Sequence, residues 1–316
     1  MKPEHSTAMR SDAGARVHDH AQGRQKLLGH LAGLLFSALI AGSFSIGHLA
    51  ALLVEPAALN AARFTIAVGI IFAIYLATRR ALPPVPKALW RFAILGALMA
   101  TYFILMFVAL RITTPVATGA VFTLIPLMSA GFGWLFLRQT TPFLVFISLV
   151  IAGTGAIWVI FRGDLDALLG LRIGAGEAIF FIGCAAHAAY APLVRKFNRG
   201  ETGLQFTLLA LSATLLCIAI YGARDVAGTA WTALPMIVWA AIFYTAIFAT
   251  AATFFLLQFA SMRLPASKVL SYGYLTPSFV ILIEGIIGHG WPSLSILAGA
   301  TLTAAALLVM AFAADG

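Results

Sequence analysis

The stretch LPASKVLSYGYLTPSFVILIEGIIG, Leu264 to Gly288, is apolar enough for a membrane span, yet it holds Lys268 near one end and Glu284 near the other. A charge facing lipid is expensive, so an intramembrane ionisable residue marks a site or a buried pair. On an α-helix, with Lys268 at zero, Ser267, Ser271, Tyr274 and Ser278 fall between about 240° and 300°. They form a polar stripe that Lys268 borders. Gly273, Pro277 and Glu284 group on another face, between about 140° and 180°. Lys268 and Glu284 stand about 24 Å apart along the helix, too far to pair. The stripe is expected to line an internal cavity. Lys268 then either meets a carboxylate or phosphate at its end or snorkels to the lipid interface.

The rest of the chain has the same character. Of 316 residues, 61% are hydrophobic and 10% charged, against a quarter charged in ordinary soluble domains. An integral membrane protein is the expectation. The net charge of +9 sits mostly in short connections, so the anionic leaflet of a bilayer is the expected partner and nucleic acid is not. Residues 1–26 are polar, lack the apolar core of a signal peptide, and read as a disordered cytoplasmic tail. Cys184 and Cys217 lie inside apolar runs without metal-ligand spacing, so free thiols and no metal are expected.

Ten apolar runs follow: 27–47, 57–77, 88–110, 114–137, 143–161, 175–194, 203–222, 234–258, 266–288 and 293–313. Each suits a helix crossing a bilayer, which takes roughly 20 residues. With the N-terminus inside, thirteen Lys and Arg fall in inside segments and four outside, namely Arg111, Arg162, Arg172 and Arg224. The positive-inside rule then puts both termini in the cytoplasm. The halves echo each other. Arg111 precedes Pro126 as Arg263 precedes Pro277, and a further proline, Pro142 or Pro292, opens the next span. A five-span unit repeated in tandem inserts with opposite topology. The expected fold is therefore an all-α integral membrane protein of ten transmembrane helices in two inverted five-helix repeats, 27–161 and 173–313.

Several segments carry a resemblance. They are AGSFSIGHLA with AALNAARFTIAVGI, then FVALRITTPVATGAVFTLIPLMSAGFGWLFL, GEAIFFIGCAAHAAYAPLVRK and LQFASMRLPASKVLSYGYLTPSFVILIEG. In order and spacing the chain resembles the drug/metabolite transporter superfamily, EamA type, from Leu27 to Phe312. The resemblance implies two inverted repeats around a cavity open alternately to each side. It also implies export of small metabolites, often amino acids or related compounds, without ATP. Uptake or exchange of anionic metabolites is the alternative. Where the family often has tryptophan, this chain has Ile40 nearby and His187, so no substrate transfers from a relative.

The candidate substrate-binding residues are Lys268, Ser271, Tyr274 and Ser278 of the stripe, with Tyr102, His187 and Tyr190. Tyr102 and Phe103 offer aromatic surface, while His187 and Tyr190 share a helix face mid-span. Glu284, Arg63 and His48 are candidates for charge pairing or coupling. Glu284 pairs with a basic residue such as Arg63 or His48, or it carries a coupling proton. Pro126 and Pro277 are candidate helix breaks that free backbone carbonyls beside a cavity. Glu177, at the start of the sixth run, is expected at the interface. No catalytic residues are expected. Adjacent Ser267 and Lys268 point about 100° apart, a poor dyad, and no cofactor motif is present. The expected partners are a small-molecule substrate, the lipid bilayer and, as one option, protons. The expected location is the inner (plasma) membrane, as a monomer or homodimer.

Overall fold

The computed structural model describes residues 24–84, 86, 88–140, 143–170, 173–261, 263–264 and 272–312. Among them there are helices and no strands. The helices are α1 (Arg24–Ala51), α2 (Pro56–Arg79), α3 (Trp90–Leu110), α4 (Pro115–Phe122), α5 (Ile125–Leu137) and α6 (Phe143–Ile160). After the short α7 (Leu165–Leu169) come α8 (Ala175–Phe197), α9 (Gly203–Tyr221) and the short α10 (Ala223–Gly228). Then come α11 (Met236–Ala246), a π-helical turn (Ile247–Ala252), α12 (Thr253–Ser261), α13 (Thr276–Ile286) and α14 (Leu294–Phe312).

Local chemistry sets the ends. Pro56 and Pro115 open α2 and α4, where a missing N–H costs nothing. Thr114 caps α4 by accepting from the Ala117 N–H at 3.2 Å, and Thr202 caps α9 from the Gln205 N–H at 3.4 Å. Asp164 caps α7 through the N–H groups of Asp166 and Ala167. Among the described residues, seven helical segments are long and apolar enough to cross a membrane, and three apolar helices are shorter (Phe146–Ile160, Tyr272–Ile286 and Leu294–Ala306). Large apolar side chains such as Ile182, Leu216, Ile220 and Ile286 are exposed around the bundle. That surface belongs in lipid, so the chain is a multi-pass membrane protein.

Antiparallel connections give the bundle two ends. The tail end holds the start of α1, with Arg91 and Glu201; the far end holds His48, Arg111 and His289. In the far half one large buried cluster joins α1, α2, α3, α4, α5, α8, α11 and α13, around Phe44, Leu59, Phe107, Phe180, Ile242 and Val280, and a smaller one around Phe64 and Ile218 joins α2, α3 and α9. In the tail half, among the described residues, burial is divided. One cluster joins α1, α6, α12 and α14 through Ala32, Ala152, Ala260 and Ala306. A second, around Ile71 and Leu208, joins α2 to α9, and a third, around Phe92 and Phe206, joins α3 to α9. Small residues bring helices close. A Cβ on Gly155 would stand 2.7 Å from the Gly299 carbonyl oxygen, and one on Gly299 would stand 2.9 Å from that of Gly155, so α6 and α14 touch backbone to backbone.

Candidate functional site

One span is broken near its middle at a proline, and a second helix opens on a proline after a 3-10 turn. α4 stops at Phe122 and α5 restarts at Ile125, with Pro126 in its first turn. A 3-10 turn over Tyr272–Leu275 leads into α13, with Pro277 in its first turn. Proline has no N–H, so the carbonyls four residues back, at Phe122 and Gly273, lose their usual helical partner. The two meet: a Cβ on Gly119 of α4 would lie 3.4 Å from Val280 Cγ2 and 3.7 Å from Pro277 Cα.

Beside this crossing, aromatic and polar side chains converge from four helices. The Tyr102 ring lies 4.6 Å from His187, 4.7 Å from Phe103 and 5.7 Å from Phe180. His187 is also 6.3 Å from Tyr190 and 6.4 Å from Phe122. Phe44 of α1 closes the ring of contacts against Phe122 and Phe180. His187 and Tyr190, read as sharing one helix face, lie near each other, and Tyr102 joins them from α3.

Arg63 is buried on α2, with its guanidinium 4.3 Å from the centre of the Phe103 ring and 5.5 Å from that of Phe64. Its Nε and Nη2 donate to Thr250 Oγ1 at 3.2 and 3.0 Å. Thr250 sits in the π turn and donates to the Thr245 carbonyl at 2.8 Å. Arg63 therefore meets a threonine, not Glu284. The reason is placement: α2 packs on α9, α11 and the π turn, while Glu284 is on α13, which packs on α1 and α4.

Several buried polar atoms here have no protein partner, namely Arg63 Nη1, His187 Nδ1, Asn60 Oδ1, Ser45 Oγ and Tyr274 Oη. Each such atom costs about 1–3 kcal/mol when left dry. A polar ligand or water at this level of the bundle would offset that cost.

The polar stripe is only partly in view. Lys268 and Ser271 lie outside the described residues. Tyr274 is buried and Ser278 half-buried. Tyr272 shares a 2.6 Å hydrogen bond with His30 Nδ1, and its ring covers Gly33. The turn at Tyr272–Leu275 is 3-10, so one 100° wheel does not run through the whole stretch.

At the far end, Glu284 Oε2 accepts from His289 Nδ1 at 2.8 Å, and Glu284 Oε1 is buried without a partner. His289 is brought back by a loop in which Gly288 and Gly290 take φ of +88° and +91°, a conformation that favours glycine. His48 Nδ1 donates to the Leu110 carbonyl at 2.5 Å. His48, Glu284, His289 and Arg162 line one cavity of about 610 Å³. Glu177 is buried and accepts from Thr113 Oγ1 at 2.6 Å, so it ties α8 to the α3–α4 connection instead of facing the interface.

At the tail end the sequence left Arg91 unassigned. It is buried, pairs with Glu201 at 2.7 Å, donates to the Phe197 carbonyl and lies over Phe92. The Arg91 hydrogen bond holds the Glu201 carboxyl at about 2, well below the usual carboxylate range. Among the described residues no group of three His, Cys, Asp or Glu is placed to hold a metal.

Comparisons with known proteins agree with this architecture. Residues 27–161 match the EamA-like transporter family. A curated relative from Bacillus subtilis (strain 168), described as the uncharacterized transporter YyaM, is 25% identical over 187 residues. That match covers 58% of this chain and spans 60% of the relative's length. A solved crystal structure superposes on 92% of this chain and 98% of its own, with a TM-score of 0.63 and 21% identity, which shows a shared fold.

Proposed function

We propose that this chain, a member of the drug/metabolite transporter superfamily whose residues 27–161 are an EamA-like domain, is a secondary transporter exporting small organic metabolites. Amino acids and related compounds are the substrate class, carried by alternating access across the inner (plasma) membrane. The observation that carries this reading is the crossing of the two proline-bearing spans at Gly119 and Pro277, beside Arg63 and His187 with their unpartnered nitrogens. Discontinuous helices facing each other near mid-span are how carriers place a substrate site.

Ten crossings in two inverted repeats form part of the proposal. The packing supports them. Exchanging each span for the one five places on turns α3 against α8 into α11–α12 against α1. It also turns α5 against α8 into α13 against α1, and it leaves α2–α9, α4–α13 and α6–α14 unchanged. The Lys and Arg balance supports a cytoplasmic tail end. Tyr102, His187, Tyr190, Tyr274 and Ser278 contact substrate in this reading, with Lys268 and Ser271 at its cytoplasmic approach. Arg63 faces its anionic group.

The test is metabolite profiling of the medium of cells expressing the wild type or Arg63→Gln at equal levels. A compound that accumulates outside only with the wild type is the expected result. An unchanged medium, together with no saturable counterflow in proteoliposomes, overturns the export reading. Uptake or exchange of an anionic metabolite is favoured by the spare donor on Arg63, and inward counterflow of that anion would identify it.

A further inference from the structure

The far-end cavity plays no part in the site above. From its lining we infer a second binding site, for a primary organic ammonium with an apolar body, whose counter-ion is Glu284. The Glu284 side chain is 9% exposed; among the described residues His289 meets its Oε2, and Oε1 has no hydrogen-bond partner. A carboxylate has about four acceptor positions, so most of its capacity is unused. His48 adds another acceptor. Its Nδ1 must hold a proton to donate to the Leu110 carbonyl, so in the neutral ring Nε2 presents a lone pair. An ammonium brings three donors and the opposite charge.

The walls suit the rest of such a ligand. Trp291 folds onto α13, where a Cβ on Gly285 would stand 2.6 Å from its ring, and it lines the cavity with Val159 and Ile296. An aromatic face stabilises a nearby cation and an apolar chain alike. The cavity, about 610 Å³, holds a molecule of ten to fifteen heavy atoms with room for water. An anion fits less well. The most deeply buried charge here is negative, and of the cationic groups His289 already faces it while Arg162 is exposed.

The test is calorimetric titration of the purified full chain in detergent with phenethylammonium, phenylacetate and 2-phenylethanol. The ammonium binds saturably, and the acid and the alcohol bind about tenfold more weakly or worse. Glu284→Gln weakens ammonium binding by about tenfold or more, and Trp291→Leu by a few fold. Thermal unfolding without ligand checks that each variant folds. Should Glu284→Gln unfold early, Trp291→Leu carries the test. Absence of ammonium binding, equal binding of phenylacetate, or unchanged affinity in a folded Glu284→Gln or Trp291→Leu overturns the inference. Because no flux is measured, failure here leaves the transport reading standing, and failure of transport leaves this site standing.

Discussion

The two halves of the bundle are built differently. Among the described residues the far half has one large buried core that reaches across eight helices, with a smaller cluster of α2, α3 and α9 beside it, and there α4, α13 and α1 press together. The tail half, among the described residues, has three separate clusters, and Tyr190 of α8 is half-buried beside one of them. A continuous core resists separation, whereas separate clusters move apart without any one of them being broken. The difference teaches where burial is continuous: at the far end one core ties most of the helices together, and at the tail end, among the described residues, no single cluster does.

The sharpest test is chemical access. In a chain with Cys184 and Cys217 replaced, a cysteine at Tyr190 should react with a charged thiol reagent from the tail side at least about tenfold faster than one at the buried Met106. Equal rates would break the comparison. Next comes truncation. Phe107→Ala in the far core should cost about 3–5 kcal/mol in detergent unfolding, and Phe206→Ala in a tail cluster about half of that, because a small cluster collapses more readily around the gap.

Glu201→Gln should cost about 1–3 kcal/mol, since it removes the negative charge that pairs the buried Arg91. This pair also sets a pH dependence. The Glu201 carboxyl is lower in the folded chain than in the unfolded one, so its contribution is present above about pH 4 and lost as pH falls towards 2. The unfolding midpoint of the wild type should fall through that window more steeply than that of Glu201→Gln. Smallest is Arg111→Gln, at the far surface. Its pair with Glu55 is well exposed on both sides, and the change should stay within about 1 kcal/mol.

The helices were largely legible in the sequence because their ends are written in local chemistry. The run expected at 203–222 is a helix at Gly203–Tyr221, capped by Thr202, and the run at 143–161 contains α6. Pro126 and Pro277 each stand in the first turn of a helix, where proline chemistry places them. The partners were not legible. That Arg63 meets Thr250 depends on which helix α2 packs against, and that Glu284 meets His289 depends on two glycines turning a loop back. Arg91 read as one more charge near a span end, because Glu201 and the Phe197 carbonyl lie more than a hundred residues away. The near pairing of His187 with Tyr190 needed only one helix and was seen; the contact of His187 with Tyr102 needed two.

The π turn at Ile247–Ala252 has a consequence for how this chain can change length. A π turn holds one residue more than an α-helix of the same span. It behaves as a kept insertion, and Thr250 owes its aim at Arg63 to that extra residue. Removing one residue between 247 and 252 should heal the helix and leave the chain membrane-inserted, while turning Thr250 away from the arginine. A one-residue deletion in α3 or α8 has no such surplus to absorb it. In this protein, tolerance of a deletion would mark the segment that was lengthened to serve the site.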